Sequence, residues 1–382
     1  MPVLSAGMAP DLLFDVRHIE QSGIGTYIGV QIPALEEVLS QHGRTLAVLA
    51  DRGNVPDVAA NTEVVYAEPA GAAMFSLGEQ RAWDHAIGTV RPGSFWTPHF
   101  PHPLTLLRPR HRSVLAFSTV HDDNYLLPEQ ISGMSRARRL YARAMLEADA
   151  RRCHTIFTPS RASADALAGY VPAARFVVTE IPVSRQWLQP PDPTLSPVTG
   201  RYILYLGNVK RHKNVLALLE AYSQVQQSIP HRLMIAGSGA SVRTLDGRVQ
   251  EQATALGDRV QFISRLEFDA LHALVAGADL LVMPSFNEGA GLPPLEAMAS
   301  GTAVLCSDIP SLRETCGSGA EYFDPHDAGQ LARLLTRFAA DDAARSELAA
   351  RGAAHVRTRQ QRISTTAAAD AIVAALASEG SR

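Results

Sequence analysis

Apolar residues along this chain fall into short continuous runs separated by longer stretches of helical spacing. Leu12-Leu13-Phe14-Asp15 is one such run and reads as a buried strand; Ile28, Ile32, Leu35 and Leu39 then recur at intervals of three and four, the period of an α-helix. The rhythm repeats. Further strands are predicted at 45–50, 94–97, 114–119, 155–158 and 176–179, and after a break at 202–206, 232–236, 259–263, 280–283 and 303–307. Apolar runs alternating with helices of about 10 to 15 residues build parallel sheets covered on both faces. The break is a stretch without periodicity that holds Pro190, Pro191, Pro193 and Pro197, a linker signature. The pattern therefore predicts a first α/β domain over 1–187, a Pro-rich linker over 188–200 and a second α/β domain over 201–362. A last alanine-rich helix, from Ile363 through Leu376 toward 382, can pack on either domain and is assigned back to the first. Two such domains are expected to face a cleft, with ligands outside the carboxyl ends of the strands.

Composition narrows the picture. A length of 382 residues suits two domains of ordinary size. With 46% hydrophobic and 19% charged residues the balance is globular, which argues against wholesale disorder. A net charge of −3 gives no pull toward nucleic acid. No run of about 18 apolar residues exists to span a membrane, and the segment Met1 to Ala6 lacks the charged and apolar regions of a signal peptide. Cys153, Cys306 and Cys316 form neither a disulfide framework nor a metal knuckle. They read as small buried hydrophobes in a reducing cytosol. Of 35 basic residues only two are lysines, Lys210 and Lys213. They sit together in Gly207-Asn208-Val209-Lys210-Arg211-His212-Lys213-Asn214, where a compact ammonium is retained in a chain that otherwise uses the planar guanidinium.

Candidate chemistry follows from those placements. Pro284-Ser285-Phe286-Asn287-Glu288-Gly289-Ala290-Gly291-Leu292-Pro293-Pro294-Leu295-Glu296-Ala297 leaves the carboxyl end of a buried strand and opens a helix. Its glycines admit a ligand close to the backbone. Free N–H groups at the helix start favour an anion, and Glu288 and Glu296 beside that anion suit hydroxyls of a sugar or ribose. The same residues also fit a capped helix with solvated glutamates. Lys210, Arg211 and Lys213 lie on a strand-to-helix loop where a diphosphate would bind, with Asn214 as N-cap of the next helix; the alternative is a solvated loop. Gly237-Ser238-Gly239 is a weaker turn of the same kind. In the first half, Ser22-Gly23-Ile24-Gly25 opens a helix, with Ile28 where a full dinucleotide fingerprint needs glycine. His121-Asp122 ends a strand on the side of the expected cleft, although a lone histidine is commonly structural. Arg136, Arg139 and Arg143 share a helix face with Leu140 and Met145 nearby, preceded by Arg108, Arg110 and Arg112. That face suits anionic headgroups or plain solvent.

Glu288-x7-Glu296, with Gly289-x-Gly291-Leu292-Pro293, Tyr205-Leu206-Gly207 and Lys213, resembles the family 4 retaining glycosyltransferases. The likeness extends through Gly301, Pro310, Glu314 and Tyr322-Phe323-Asp324-Pro325. In the first half Gly23-Ile24-Gly25-x-Tyr27, His121-Asp122 and Thr158-Pro159-Ser160 belong to the same pattern. The resemblance implies the GT-B architecture, two Rossmann-like domains facing a cleft, and a hexose donated by a nucleotide diphosphate with retention. It implies Glu288 on sugar hydroxyls, backbone N–H groups of Gly289, Ala290, Gly291 and Leu292 on sugar and diphosphate, Glu296 on the ribose and Lys213 on the diphosphate. Gly25 would back the phosphate from the other domain, and His121 would lie beside the reacting sugar. Where the family has Arg after Gly207 this chain has Asn208, so Arg211 or Lys210 is expected to supply that charge. The form of this loop is similar to bacterial mannosyltransferases of polysaccharide assembly. That ranks GDP-mannose first as donor, then UDP- or dTDP-sugars, with a glycan or lipid-linked glycan as acceptor. No cofactor, metal or nucleic acid is expected, and the enzyme is placed in the cytoplasm, in peripheral contact with the inner face of the plasma membrane. The competing readings are another GT-B sugar-nucleotide enzyme, such as an epimerase, and a non-catalytic sugar-nucleotide binder.

Overall fold

Leu12, Leu13, Phe14, Phe95 and Trp96 in one sheet, and Ile203, Leu204, Leu280, Leu281, Val282 and Met283 in the other, are fully buried and settle at the centres of two parallel sheets. The computed structural model describes residues 9–237 and 247–379. In the first sheet β1 (Leu12–Asp15) lies between β2 (Leu46–Ala50) and β4 (Ser94–Thr97), with β3 (Glu63–Tyr66) on one edge and β5 (Leu115–Thr119), β6 (Thr155–Thr158) and β7 (Phe176–Val178) beyond β4. All six pairings are parallel. The connecting helices are α1 (Ser22–Gln41), α2 (Leu77–Val90), α3 (Glu129–Ser132), α4 (Arg136–Arg152) and α5 (Arg161–Ala168).

The second sheet repeats the plan. Its order is β10-β9-β8-β11-β12-β13, with β8 at Tyr202–Leu206, β9 at Arg232–Ala236, β10 at Val260–Ile263, β11 at Leu280–Met283, β12 at Ala303–Ser307 and β13 at Glu321–Phe323. Helices α6 (Val215–Val225), α7 (Gly247–Ala255), α8 (Phe268–Ala276), α9 (Leu292–Ala299), α10 (Pro310–Cys316), α11 (Ala328–Ala340) and α12 (Asp342–Arg362) cover it, and α13 (Ala367–Glu379) follows. Each sheet reverses its winding direction once, between β1 and β4 and between β8 and β11. At such a switch point the loops leaving adjacent strands part and make room for a ligand. The β8–β11 ladder holds only Leu280–Ile203 and Leu281–Leu204, so the carboxyl-terminal halves of these strands are not paired with each other.

Two compact units result. One comprises Met1–Asp123, Leu140–Ile181 and Ser364–Arg382; the other comprises Asn124–Arg139 and Pro182–Ile363. Residues 124–139 and 182–187, which the sequence pattern assigns to the first half, are thus part of the second unit. The Pro-rich stretch is ordered in short turns, Arg185–Leu188 and Pro193–Leu195, and the second of these packs on α8. The terminal helix starts at Ala367, four residues later than its periodicity suggests. Ser364-Thr365-Thr366 interrupts the pattern, and the Thr366 hydroxyl reaches Asp370 at 2.8 Å in the new first turn. That helix packs on α1 and β7 of the first unit. Strands β3 and β13 escape sequence reading: they are four and three residues long, each opens on a glutamate, and most of their side chains are only partly buried, whereas the edge strands β7 and β10 show in the sequence as mostly apolar runs.

Candidate functional site

The loops leaving β8 and β11 meet at the switch point of the second sheet. After β8 the chain passes Gly207 and Asn208, where the Tyr205 hydroxyl donates to the Asn208 carbonyl at 2.7 Å, and closes a short 3-10 turn at Arg211–Lys213. After β11 it passes Pro284 and Ser285 to Glu288. Two links fasten the loops together: the Phe286 N–H donates to the His212 carbonyl at 2.8 Å, and the Asn214 side-chain amide donates to the Pro284 and Pro325 carbonyls at 3.0 and 2.9 Å. Asn214 does precede α6, with a left-handed φ of 54°, but its side chain makes no cap hydrogen bond. Its amide is spent on stapling three loops.

This stapling brings Lys213 onto Glu288. The Lys213 ammonium donates to both carboxylate oxygens, at 2.8 and 2.7 Å, and the Ser285 hydroxyl donates to Oε1 at 2.6 Å. Glu288 is buried and Lys213 largely so. A paired, hydrogen-bonded carboxylate is tolerable in such surroundings, whereas removing either partner leaves a charge without compensation. Ser285 stands in the sequence motif without a role of its own; its position three residues before Glu288 is the only signal for it. Asn287 adds a contact to Asn124 at 3.2 Å, so the 124–139 segment touches the same loop.

The four residues after Glu288 form the turn into α9. Gly291 has φ of 58°, and a Cβ there would lie 3.0 Å from the Leu312 side chain and 3.3 Å from that of Thr315, so both backbone and space call for glycine. Pro293 and Pro294 occupy the second and third positions of α9 and have no N–H. The helix start is therefore poorer in donors than a generic helix. The donors that an anion could meet are those of the turn itself, Gly289, Ala290, Gly291 and Leu292.

Glu296 lies one turn into α9. Burial raises its carboxyl to about 7, although the Trp187 indole N–H, its hydrogen-bond partner, opposes the shift. Trp187 sits in the 3-10 turn ahead of the Pro-rich stretch, and no spacing along the chain pairs it with Glu296. Asn208, Lys210 and Arg211 are exposed. The Arg211 stem packs along Gly133, where a Cβ would come within 3.2 Å of its Cδ. Gly237 follows β9, while Ser238 and Gly239 lie outside the described residues.

The first unit holds the remaining candidates. Gly25 is in the first turn of α1, and a Cβ there would lie 1.9 Å from the Ile19 carbonyl oxygen, so no larger residue fits. His121 donates from Nε2 to the Pro98 carbonyl at 2.8 Å, which leaves Nδ1 as the lone-pair nitrogen of a neutral ring. Burial lowers its pKa, against the opposing pull of the Pro98 carbonyl and Asp122. The Tyr27 ring meets it edge-on at 5.1 Å. On α4, Arg136 and Arg143 are exposed, with Leu140 61% and Tyr141 59% exposed beside them. Arg108 and Arg110 are both drawn to Asp84, at 3.0 and 2.9 Å. No helix among the described residues is long and apolar enough to cross a membrane.

Residues 191–355 match the family model of glycosyl transferases group 1. Over 342 residues the chain is 28% identical to O-antigen chain mannosyltransferase B of Escherichia coli, covering 86% of this chain and 83% of that one. It is 30% identical over 212 residues to O-antigen chain mannosyltransferase RfbU of Salmonella typhimurium, covering 55% of this chain and 56% of that one. The fold matches sucrose-phosphate synthase from Thermosynechococcus elongatus with a TM-score of 0.70 at 20% identity, over 91% of this chain and 94% of that one. Over residues 191–355 the chain thus carries a domain of the glycosyl transferases group 1 model, within a two-sheet GT-B-like fold, and it is similar to mannosyltransferases of O-antigen chains.

Proposed function

We propose that the chain moves mannose from GDP-mannose, with retention, to a glycan or lipid-linked glycan acceptor in bacterial cell-surface or exopolysaccharide assembly. UDP- and dTDP-sugars rank next as donors. The observation that carries this reading is the Lys213–Glu288–Ser285 constellation at the β8–β11 switch point, beside the N–H groups of Gly289 to Leu292. In the resting protein Lys213 is held by Glu288. A donor diphosphate offers the ammonium a partner of higher charge, and Glu288 then turns its oxygens to the sugar hydroxyls. Glu296 in its ionised form accepts from the ribose hydroxyls.

As the bond from the anomeric carbon to the diphosphate breaks, positive charge gathers on the sugar and negative charge on the leaving phosphate. Lys213 and the turn N–H groups meet that negative charge where it develops, so they favour the transition state over the bound donor. Lys210 or Arg211 supplies the cation that Asn208 does not. The leaving phosphate oxygen takes the acceptor's proton on the same face, and no metal is needed for the step. His121 acts beside the reacting sugar as a neutral ring, and Gly25 backs the phosphate. The Arg136–Arg139–Arg143 face, with exposed Leu140 and Tyr141, supports peripheral contact with an anionic membrane at the cytoplasmic side.

A melting-temperature screen against GDP-, UDP- and dTDP-sugars tests the donor. The largest rise is expected with GDP-mannose. A larger rise with another sugar nucleotide replaces that donor, and no rise with any of them overturns the reading.

A further inference from the structure

A second polar constellation, in the first unit, is not used by the transfer chemistry. His18 follows β1, Glu79 lies in the first turn of α2, and His99 follows β4. Their side chains are 5%, 0% and 3% exposed. The Nε2 atoms of both histidines converge on one oxygen, Glu79 Oε1, at 3.2 Å for His18 and 3.1 Å for His99. The other oxygen, Oε2, is occupied by the Phe75 N–H at 2.7 Å.

His99 carries the decisive detail. Its Nδ1 lies 3.2 Å from the Phe100 carbonyl. A carbonyl can only accept, so Nδ1 holds a proton, and with the ring neutral Nε2 presents a lone pair. That lone pair faces a carboxylate oxygen, another acceptor, and His99 Nε2 has no hydrogen-bond partner. Two acceptors this close in a buried place repel unless a cation lies between them. A histidine that donates one ring N–H to a carbonyl while aiming the other nitrogen at a shared point has the outer-shell arrangement of a metal ligand. His18 differs: its Nδ1 accepts from the Gln21 side-chain amide N–H at 3.0 Å, so its Nε2 carries a proton toward Glu79 Oε1, which it must release to ligate an ion.

Charge and spacing agree. Arg17 comes within 3.5 Å of Glu79 Oε1, but its guanidinium is engaged by Asp15, at 2.9 Å from Nε and 2.7 Å from Nη2. Asp15 and Arg17 cancel, so with neutral imidazoles Glu79 leaves the group at net −1. Ligands about 2.0–2.1 Å from a tetrahedral ion stand about 3.3 Å apart, close to the 3.1 and 3.2 Å found here.

We propose that His18, Glu79 and His99 bind one divalent transition ion of the zinc class. The set of two histidines and one carboxylate fastens the loop that enters α1, and so Gly25, to the start of α2 and the exit of β4. The ion takes no part in sugar transfer, and the site stands apart from the donor reading.

The test uses the full chain, stripped with chelator and titrated with Co(II) and then Zn(II). The wild type is expected to take up one equivalent of Co(II) with the intense ligand-field absorption of a tetrahedral site, which Zn(II) then abolishes. His18→Gln and His99→Gln should each weaken Co(II) binding at least tenfold, while Lys213→Ala binds as the wild type does. If a histidine variant fails to fold, the wild type decides alone through a Zn(II)-dependent rise in melting temperature. Wild-type protein that gains neither the absorption nor the rise overturns the site, as it would if a proton on His99 held the two acceptors together. Equal Co(II) binding by both folded histidine variants overturns it as well.

Discussion

Two carboxylates, one in each unit, show how the same architecture divides its labour. Asp15 closes β1 in the first unit and is fully buried. Burial alone would raise its carboxyl, but the Arg17 guanidinium overrides that and holds it at about 2. The Trp83 indole N–H, at 2.7 Å, completes its shell. Glu296 in the second unit also receives an indole N–H, from Trp187, but no guanidinium, and burial takes it to about 7. The largest difference is one arginine, with smaller help from His99 and His18. Asp15 is provided for by its own chain and serves the fold. Glu296 is left short of donors, the condition of a group whose partners arrive with a ligand.

The comparison predicts opposite responses. Asp15→Ala strands Arg17 as a buried cation and should cost about 3–5 kcal/mol of stability, read as a fall in chemical-denaturation midpoint; a loss below about 1 kcal/mol would show that the pair is not needed. Because its pKa is lowered, Asp15 contributes stability that is present above about pH 4 and lost as pH falls through about 2. Lys213→Ala and Glu288→Ala should each reduce turnover at least tenfold while far-UV circular dichroism and melting stay cooperative. Wild-type rates in both would remove the second unit's site.

Glu296 carries the reverse sign. Its raised pKa means the unfolded chain ionises near 4.5 while the folded protein resists until about 7, so its penalty grows across that window and is full above it. Glu296→Gln should therefore gain on the order of 1–2 kcal/mol near pH 8 relative to its effect near pH 5, and lose donor affinity. Denaturant titrations at the two pH values check this, and an unchanged difference would mean the carboxylate is already satisfied. The smallest effect separates the two lysines: Lys213→Arg should reduce activity far more than Lys210→Arg, because only Lys213 reaches Glu288. The reverse order in steady-state rates would move the phosphate contact to Lys210.

Most of this fold is legible in the chain because strands buried on both faces are unbroken apolar runs. Leu12–Asp15, Ser94–Thr97, Thr155–Thr158, Tyr202–Leu206, Arg232–Ala236, Leu280–Met283 and Ala303–Ser307 stand where their hydrophobicity puts them. The edge strand Glu63–Tyr66 carries a weaker signal, since it opens on a charge, needs only one neighbour and is only partly buried, while the edge strands Phe176–Val178 and Val260–Ile263 still show as mostly apolar runs. In the candidate site the glycines, glutamates and Lys213 are legible as types suited to a diphosphate and a sugar. The stapling role of Asn214, the Ser285 contact and the Trp187–Glu296 pair are not. Each joins residues tens of positions apart or depends on which way a short side chain turns, and periodicity holds no information about either. The buried His18–Glu79–His99 group is hidden for the same reason, its members being 61 and 20 residues apart along the chain.

The proposed transfer rests on one division of work, Lys213 on the diphosphate and Glu288 on the sugar. Calorimetric titration of the wild type, Lys213→Ala and Glu288→Gln with GDP and with GDP-mannose measures it directly. Lys213→Ala should weaken both ligands at least tenfold. Glu288→Gln should weaken GDP-mannose alone and leave GDP bound as well as before, or better, since Lys213 is then released from its ion pair. Unchanged binding of both ligands by Lys213→Ala, or an equal loss of GDP and GDP-mannose in Glu288→Gln, would contradict it.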